Sequence, residues 1–227
     1  MSNPSYNPRR FEQIRSPSQD YAQFREKAQK RFLDMLLGAS ENGTYFDMQQ
    51  GIQELGRNIK ERMSGGQKPV YVFITGAYGT GKTYSSKALG EGARDAGLDV
   101  LLYDNDGNFS DFLGGLKKDT INFSKSDLVI VGQINAARVV KEIGKLNPSK
   151  YLCISLVADQ TTRHGNSYVQ SGGMVNEWLI RENEDTRAIH NNPNLIDEGS
   201  NYVIDTSNEH RITAEQIRFM FQRILSQ

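Results

Sequence analysis

The 227-residue chain has a single cysteine, Cys153, so no internal disulfide can form. A reducing, cytoplasmic setting is the expectation that follows, because small secreted domains commonly rely on paired cysteines. Apolar runs of membrane-spanning length are missing, and Met1-Ser2-Asn3-Pro4-Ser5 carries no apolar leader. Excess charge is missing too. Lys+Arg and Asp+Glu both number 27, which removes bulk attraction to nucleic acid or an anionic membrane. His164, His190 and His210 stand apart from one another, with none of the spacings of a zinc site. The apolar fraction of 37% is low but sufficient for one packed core with polar loops.

Glycine is not scarce, and one cluster of it organises the chain. Gly76-Ala77-Tyr78-Gly79-Thr80-Gly81-Lys82-Thr83 fits the phosphate-binding loop pattern G-x-x-x-x-G-K-[ST] without a mismatch. Val70-Tyr71-Val72-Phe73-Ile74-Thr75 before it reads as a buried strand, and Tyr84-Ser85-Ser86-Lys87-Ala88-Leu89 after it opens a helix. Glycines let the backbone approach an anion closely, and successive N–H groups with the helix N-terminus supply positive potential. Lys82 then meets the β- and γ-phosphates, and the Thr83 hydroxyl is suited to Mg²⁺. The nucleotide-contacting stretch is therefore expected to be Gly76 to Tyr84, with ATP or GTP as the nucleotide.

Along the chain, residues 1–19 are polar and read as a flexible arm. Residues 20–66 hold two helical patterns. Tyr21, Phe24, Ala28, Phe32, Met35 and Leu36 line one face, and Met48, Ile52, Leu55, Ile59 and Met63 line another. Packing on the sheet or on each other is the expected use of these helices, and self-association or a protein partner is the alternative. From residue 67 to 227 strand-like runs alternate with helical ones. The runs are 70–75, 100–103, 128–131, 151–157 and 202–205. Helical patterns are read at 134–143, at 174–184 with Trp178 inward, and after Thr213, which opens a capping box with Gln216. The expected fold is α/β: a mainly parallel five-stranded P-loop sheet with helices on both faces, preceded by an N-terminal helical segment.

Ligands of such sheets sit beyond the carboxyl ends of the strands, which directs attention to Asp104 and Asp106. Either carboxylate there can act as an acceptor-side base, and Asp106 joins Thr83 as a candidate for the metal. The same residue types also suit a plain polar turn. A calcium-loop reading fails, because Phe109 and Gly115 occupy the positions that need glycine and glutamate. Arg163, Arg181 and Arg187 lie in the polar stretch between the last two strands, and Arg181 and Arg187 are the candidate lid over a transferring phosphoryl group. Surface ion pairing with Glu177, Glu182, Glu184 and Asp185 is the competing reading. An acid ending the 128–131 strand is lacking: Gly132-Gln133 follow it and Asp127 precedes it. That speaks against a motor or a switch.

The passage from Gly76 to Asp127 resembles adenylylsulfate kinase in its loop, Gly97, the strand ending in Asp104-x-Asp106 with Asn108 behind, and Phe123-Ser124-Lys125-Ser126-Asp127. Val131 to Lys141 and Asn201 to Asp205 are similar to passages of guanylate kinase, and the layout with helices before the loop is similar to zeta-toxin-like kinases. The resemblance implies a P-loop kinase of small molecules or nucleotides, dependent on ATP and Mg²⁺. Lys82, Asp104, Asp106, Arg181 and Arg187 would serve transfer, and Thr206-Ser207-Asn208 would touch the adenine. It implies no particular acceptor. The alternative from another class is a nucleotide-binding regulatory or assembly protein.

Overall fold

The computed structural model describes residues 30, 33–34, 36–77, 79–104, 106–118, 125–132, 144–159, 162–163, 165–166, 200–207 and 211–227. Its centre is a six-stranded sheet in the order β1-β6-β5-β2-β4-β3, parallel throughout. The strands are β1 (Tyr45–Asp47), β2 (Val70–Gly76), β3 (Val100–Tyr103), β4 (Leu128–Gly132), β5 (Tyr151–Val157) and β6 (Tyr202–Asp205). The five strands expected from the sequence are all present. The sixth, β1, is a three-residue edge strand whose Tyr45, Phe46 and Asp47 pair with Val203, Ile204 and Asp205.

Alternation along β2 explains why the sheet is covered on both faces. Val70, Val72 and Ile74 point to one side and join Leu128, Ile130, Leu152, Ile154 and Ile204. Three helices cover that side: α1 (Met48–Ser64), α2 (Lys82–Asp95) and α4 (Ala214–Ser226). Tyr71 and Phe73 point to the other side and meet Val129, Val131, Tyr151 and Cys153 under α3 (Asp106–Lys118), which contributes Phe112 and Leu116. Strands buried on both faces read as unbroken apolar runs, as β2, β4 and β5 do.

Each helix has a local reason to start and stop. Asp47 caps α1 by accepting from the Gln50 amide at 2.7 Å, and the helix ends at Gly65 with Gly66 in the left-handed region. Its Met48, Ile52, Leu55 and Ile59 are all buried, each stabilising the fold by about 1.5–3 kcal/mol. The capping box of α4 is formed in both directions, Gln216 N to Thr213 Oγ1 at 3.1 Å and Thr213 N to Gln216 Oε1 at 2.7 Å. The helical segment ahead of β1 runs through Gly38 to Glu41 and stops at Asn42-Gly43. The expected helices at 134–143 and 174–184 lie outside the described residues. No described helix is long and apolar enough to cross a membrane.

Order in the sheet fixes where a ligand can sit. The chain leaves β2, goes outward to β3, returns to β4 beside β2, and then crosses to β5 on the opposite side of β2. The direction of progress reverses at β2, so the carboxyl end of β2 is the switch point of the fold. Asp127 lies at the opposite, amino edge of the sheet. Its carboxylate accepts from Lys68 Nζ at 2.6 Å and from the Asp99 amide at 2.9 Å. It therefore ties strand starts together and is remote from the switch point.

Two outcomes test this packing. Gly92 faces α4 so closely that an added Cβ would lie 2.5 Å from the Arg218 carbonyl oxygen, whereas one on Gly90 would meet nothing nearer than 3.7 Å. Alanine at either site gains about 1 kcal/mol of helix propensity. Gly90→Ala should keep that gain and Gly92→Ala should lose it and more to the backbone clash, read as opposite shifts of the urea midpoint. Lys68, then the Asp99 amide, holds the Asp127 carboxyl below its ordinary range. A lowered folded value stabilises above the unfolded value of about 3.9 and is lost as pH falls through it. Asp127→Asn should therefore lower Tm at pH 7, and the gap to wild type should narrow below about pH 4.

Candidate functional site

The loop that follows β2 is shaped by close backbone approach. Gly76 has φ +143°, and a Cβ there would lie 2.4 Å from the Leu156 carbonyl oxygen and 2.9 Å from Thr80 Oγ1. No other residue type fits where β2 passes the end of β5. Helix α2 begins at Lys82 with Gly81 as its left-handed N-cap, and no side chain caps it. Its first intrahelical bond runs from Ser85 N to Gly81 O at 2.9 Å. The first-turn amides of Thr83 and Tyr84 therefore lack an intrahelical partner at the positive end of the helix, the arrangement that receives an anion.

Several loop carbonyls are engaged by side chains. Thr80 Oγ1 donates to Ala77 O at 2.8 Å, Thr206 Oγ1 donates to Thr80 O at 2.9 Å, and Asn166 Nδ2 donates to Gly79 O at 2.7 Å. With its carbonyls engaged by these side chains, the loop is left to present N–H groups to a ligand. Lys82 Nζ crosses the loop and donates to Gly76 O at 2.9 Å and Ala77 O at 2.8 Å. Its charge thus sits in the mouth of the loop, where a phosphate oxygen can replace the carbonyls as acceptor.

Across from the loop, β3 delivers Asp104. The residue is 8% exposed, and its Oδ2 is buried without a hydrogen bond. Lys87 Nζ stands 3.5 Å from that oxygen, a charge contact without hydrogen-bond alignment. Thr83 Oγ1 donates to the Asp104 backbone oxygen at 3.4 Å, so the hydroxyl suited to a metal and the buried carboxylate's residue adjoin. β4 lies between β3 and β2, and its last residue, Gly132, has no room for an acid. A Cβ there would lie 2.8 Å from Ser86 Oγ on the first turns of α2. A side chain at Gly132 would therefore crowd Ser86.

The other sequence candidates fall as follows. Asp106 opens α3 and so follows directly on Asp104 at the carboxyl end of the sheet. The stretch whose residue types also suit a polar turn becomes, from Asp106, the start of a helix that was not expected from the sequence. Arg163 is tied by its amide to Asp159 O at 3.1 Å. Tyr78, Arg181, Arg187, Asn208 and the three histidines lie outside the described residues. Thr206 is engaged with the Thr80 and Val157 carbonyls, and Ser207 Oγ accepts from the Asp159 amide at 3.0 Å. Among the described residues no three His, Cys, Asp or Glu side chains gather to hold a metal.

Asn166, Lys87 and Arg211 belong to the site and were not singled out in the sequence. Asn166 carries no motif and reaches the loop only through Gly79 O, and Arg211 reaches Asn166 and the Tyr84 ring. Lys87 had a signal: it lies four residues after Thr83 on α2, hence on the same helix face.

No protein-family model matches the sequence, and no curated protein sequence matches it. Among solved structures, shikimate kinase from Acinetobacter baumannii in complex with shikimate is similar, at TM-score 0.42 and 16% identity over 72% of this chain and 97% of that one. An uncharacterized protein from Eubacterium ventriosum is similar at TM-score 0.39 and 14% identity, over 69% of this chain and 98% of that one.

Proposed function

We propose that this chain is a phosphotransferase, moving the terminal phosphoryl group of ATP or GTP to a small-molecule or nucleotide acceptor. The observation that carries this reading is the placement of a buried carboxylate whose Oδ2 accepts no hydrogen bond, Asp104, beside the Thr83 end of the loop. Burying a carboxylate oxygen with no hydrogen bond costs free energy that the Lys87 contact at 3.5 Å offsets only in part. A proton from an acceptor hydroxyl is one partner that would satisfy it.

In this reading the first-turn amides of α2 and the Lys82 ammonium hold the β- and γ-phosphates. The Thr83 hydroxyl is the protein ligand for Mg²⁺, with Asp106 as the candidate second carboxylate. The Thr83 hydroxyl beside Asp104, together with the phosphates themselves, suits that hard cation, in keeping with its preference for few protein ligands and retained water. Bound there, Mg²⁺ would neutralise charge on the bridging phosphate oxygens. Asp104 accepts the acceptor's proton as the O–P bond forms and the bond to the leaving diphosphate breaks. Arg181 and Arg187 are the candidates for charge on the equatorial oxygens. The lack of room for an acid at Gly132 supports the kinase reading over a motor.

Lys82→Ala should abolish measurable triphosphate binding. Asp104→Asn should leave triphosphate affinity within about threefold and lower transfer by roughly 10²–10⁴, the range of a lost general base. The assay is labelled ATP against a panel of hydroxyl and phosphate acceptors, beside an acceptor-free control. Full transfer by Asp104→Asn would move the base elsewhere, and turnover equal with and without every acceptor would make the chain a hydrolase or binding module.

A further inference from the structure

The phosphate loop accounts for Lys82 and Thr83, but it leaves a second feature at its rim unused. Tyr84 is the third residue of α2, adjacent to the amides that face the phosphates, and its ring is 38% exposed. The Arg211 guanidinium lies over that ring, 5.7 Å from the centroid. Its Nη1 reaches Asn166 Oδ1 at 3.5 Å, and the same Asn166 donates through Nδ2 to Gly79 O at 2.7 Å. Arg211 is thereby tethered to the loop backbone by one intervening side chain.

Arg211 differs from other arginines of the C-terminal region. Arg218 is hydrogen-bonded to Asp95 through both Nε and Nη2, an ordinary surface ion pair. Among the described residues no carboxylate pairs with Arg211. It is exposed, its guanidinium carbon lies over an aromatic ring, and its Nη1 is turned toward Asn166. An exposed guanidinium over a ring at the start of α2 is free to take a second flat partner.

We propose that Arg211, backed by Tyr84 and oriented by Asn166, is the platform on which the nucleobase stacks. This rests on the reading that the loop holds a nucleoside triphosphate. The amides of Thr83 and Tyr84 lead from the phosphates toward the nucleoside, and the Tyr84 side chain carries that direction outward to Arg211. Every base has a π-face, so a stacking platform grips purines more firmly than pyrimidines and separates adenine from guanine poorly. The site therefore takes ATP and GTP alike.

Calorimetric titration of the full chain with ATP, GTP, CTP and inorganic tripolyphosphate, all with Mg²⁺, tests this. Wild type should bind ATP and GTP within about threefold of each other and both more tightly than CTP or tripolyphosphate. Arg211→Ala should weaken ATP and GTP about tenfold, the size of one stacking contact, and leave tripolyphosphate unchanged. Arg211→Lys should be nearly as weak, since it keeps the charge and loses the plane. Unchanged ATP affinity in Arg211→Ala overturns the platform. So does recovery in Arg211→Lys, or a parallel loss of tripolyphosphate, which would make Arg211 a support of the loop through Asn166. Wild type holding tripolyphosphate as tightly as ATP would leave the loop reading standing and remove the platform. Wild type binding neither would remove the loop reading itself.

Discussion

The close approach of the β2 terminus to the Leu156 carbonyl is the constraint on which the rest of the site depends. It forces glycine at position 76, and that glycine lets the chain turn over the end of the sheet. From there every later element has a consequence for the loop. β5 supplies the carbonyl that Gly76 passes, and the residue after β6 supplies the Thr206 hydroxyl that holds Thr80. The segment after β5 supplies Asn166. A phosphate-binding loop is often described by its own residues. Here four side chains, two of them from distant parts of the chain, occupy its carbonyls.

How much of this could be read from the sequence depends on the range of the interaction involved. The loop was legible because its requirements are local: glycine where φ is positive, lysine and threonine at the helix start, an apolar strand before. β2, β4 and β5 were legible because burial on both faces leaves continuous apolar runs, and β3 and β6 because their short runs are still mostly apolar. β1 was not, since three residues with polar character at one end give no period to detect. α3 was missed for a different reason. Its inward residues Phe109, Phe112, Leu113 and Leu116 have helical spacing, but Gly107, Gly114 and Gly115 obscured it. The glycines removed propensity and the tertiary packing of Phe112 against Phe73 and Tyr103 overrode it.

Within the site the division is similar. Asp104 was picked out because strand ends in parallel sheets converge on one crevice, a rule that needs only the strand assignment. Asn166 and Arg211 act through a backbone carbonyl and an aromatic ring supplied by a segment more than eighty residues earlier in sequence. No spacing rule connects such partners. The absent acid at the end of β4 was visible as a fact, but the crowding of Gly132 by Ser86 required the helix to be seen lying on the strand.

The short strand β1 has a role that its length understates. By pairing with β6 it converts what would be a free edge into an interior strand, and it leaves only three residues of its own edge open to other chains. The Tyr45 hydroxyl also donates to Asp205 at 2.5 Å, and Asp205 in turn accepts from the Ser207 amide at 2.8 Å, beside Thr206. The segment ahead of β2 thus acts as both a guard against edge-to-edge aggregation and a brace for the strand end that supports the loop. Shortening the chain at this end past Tyr45 would be felt first as lost solubility and a slackened β6.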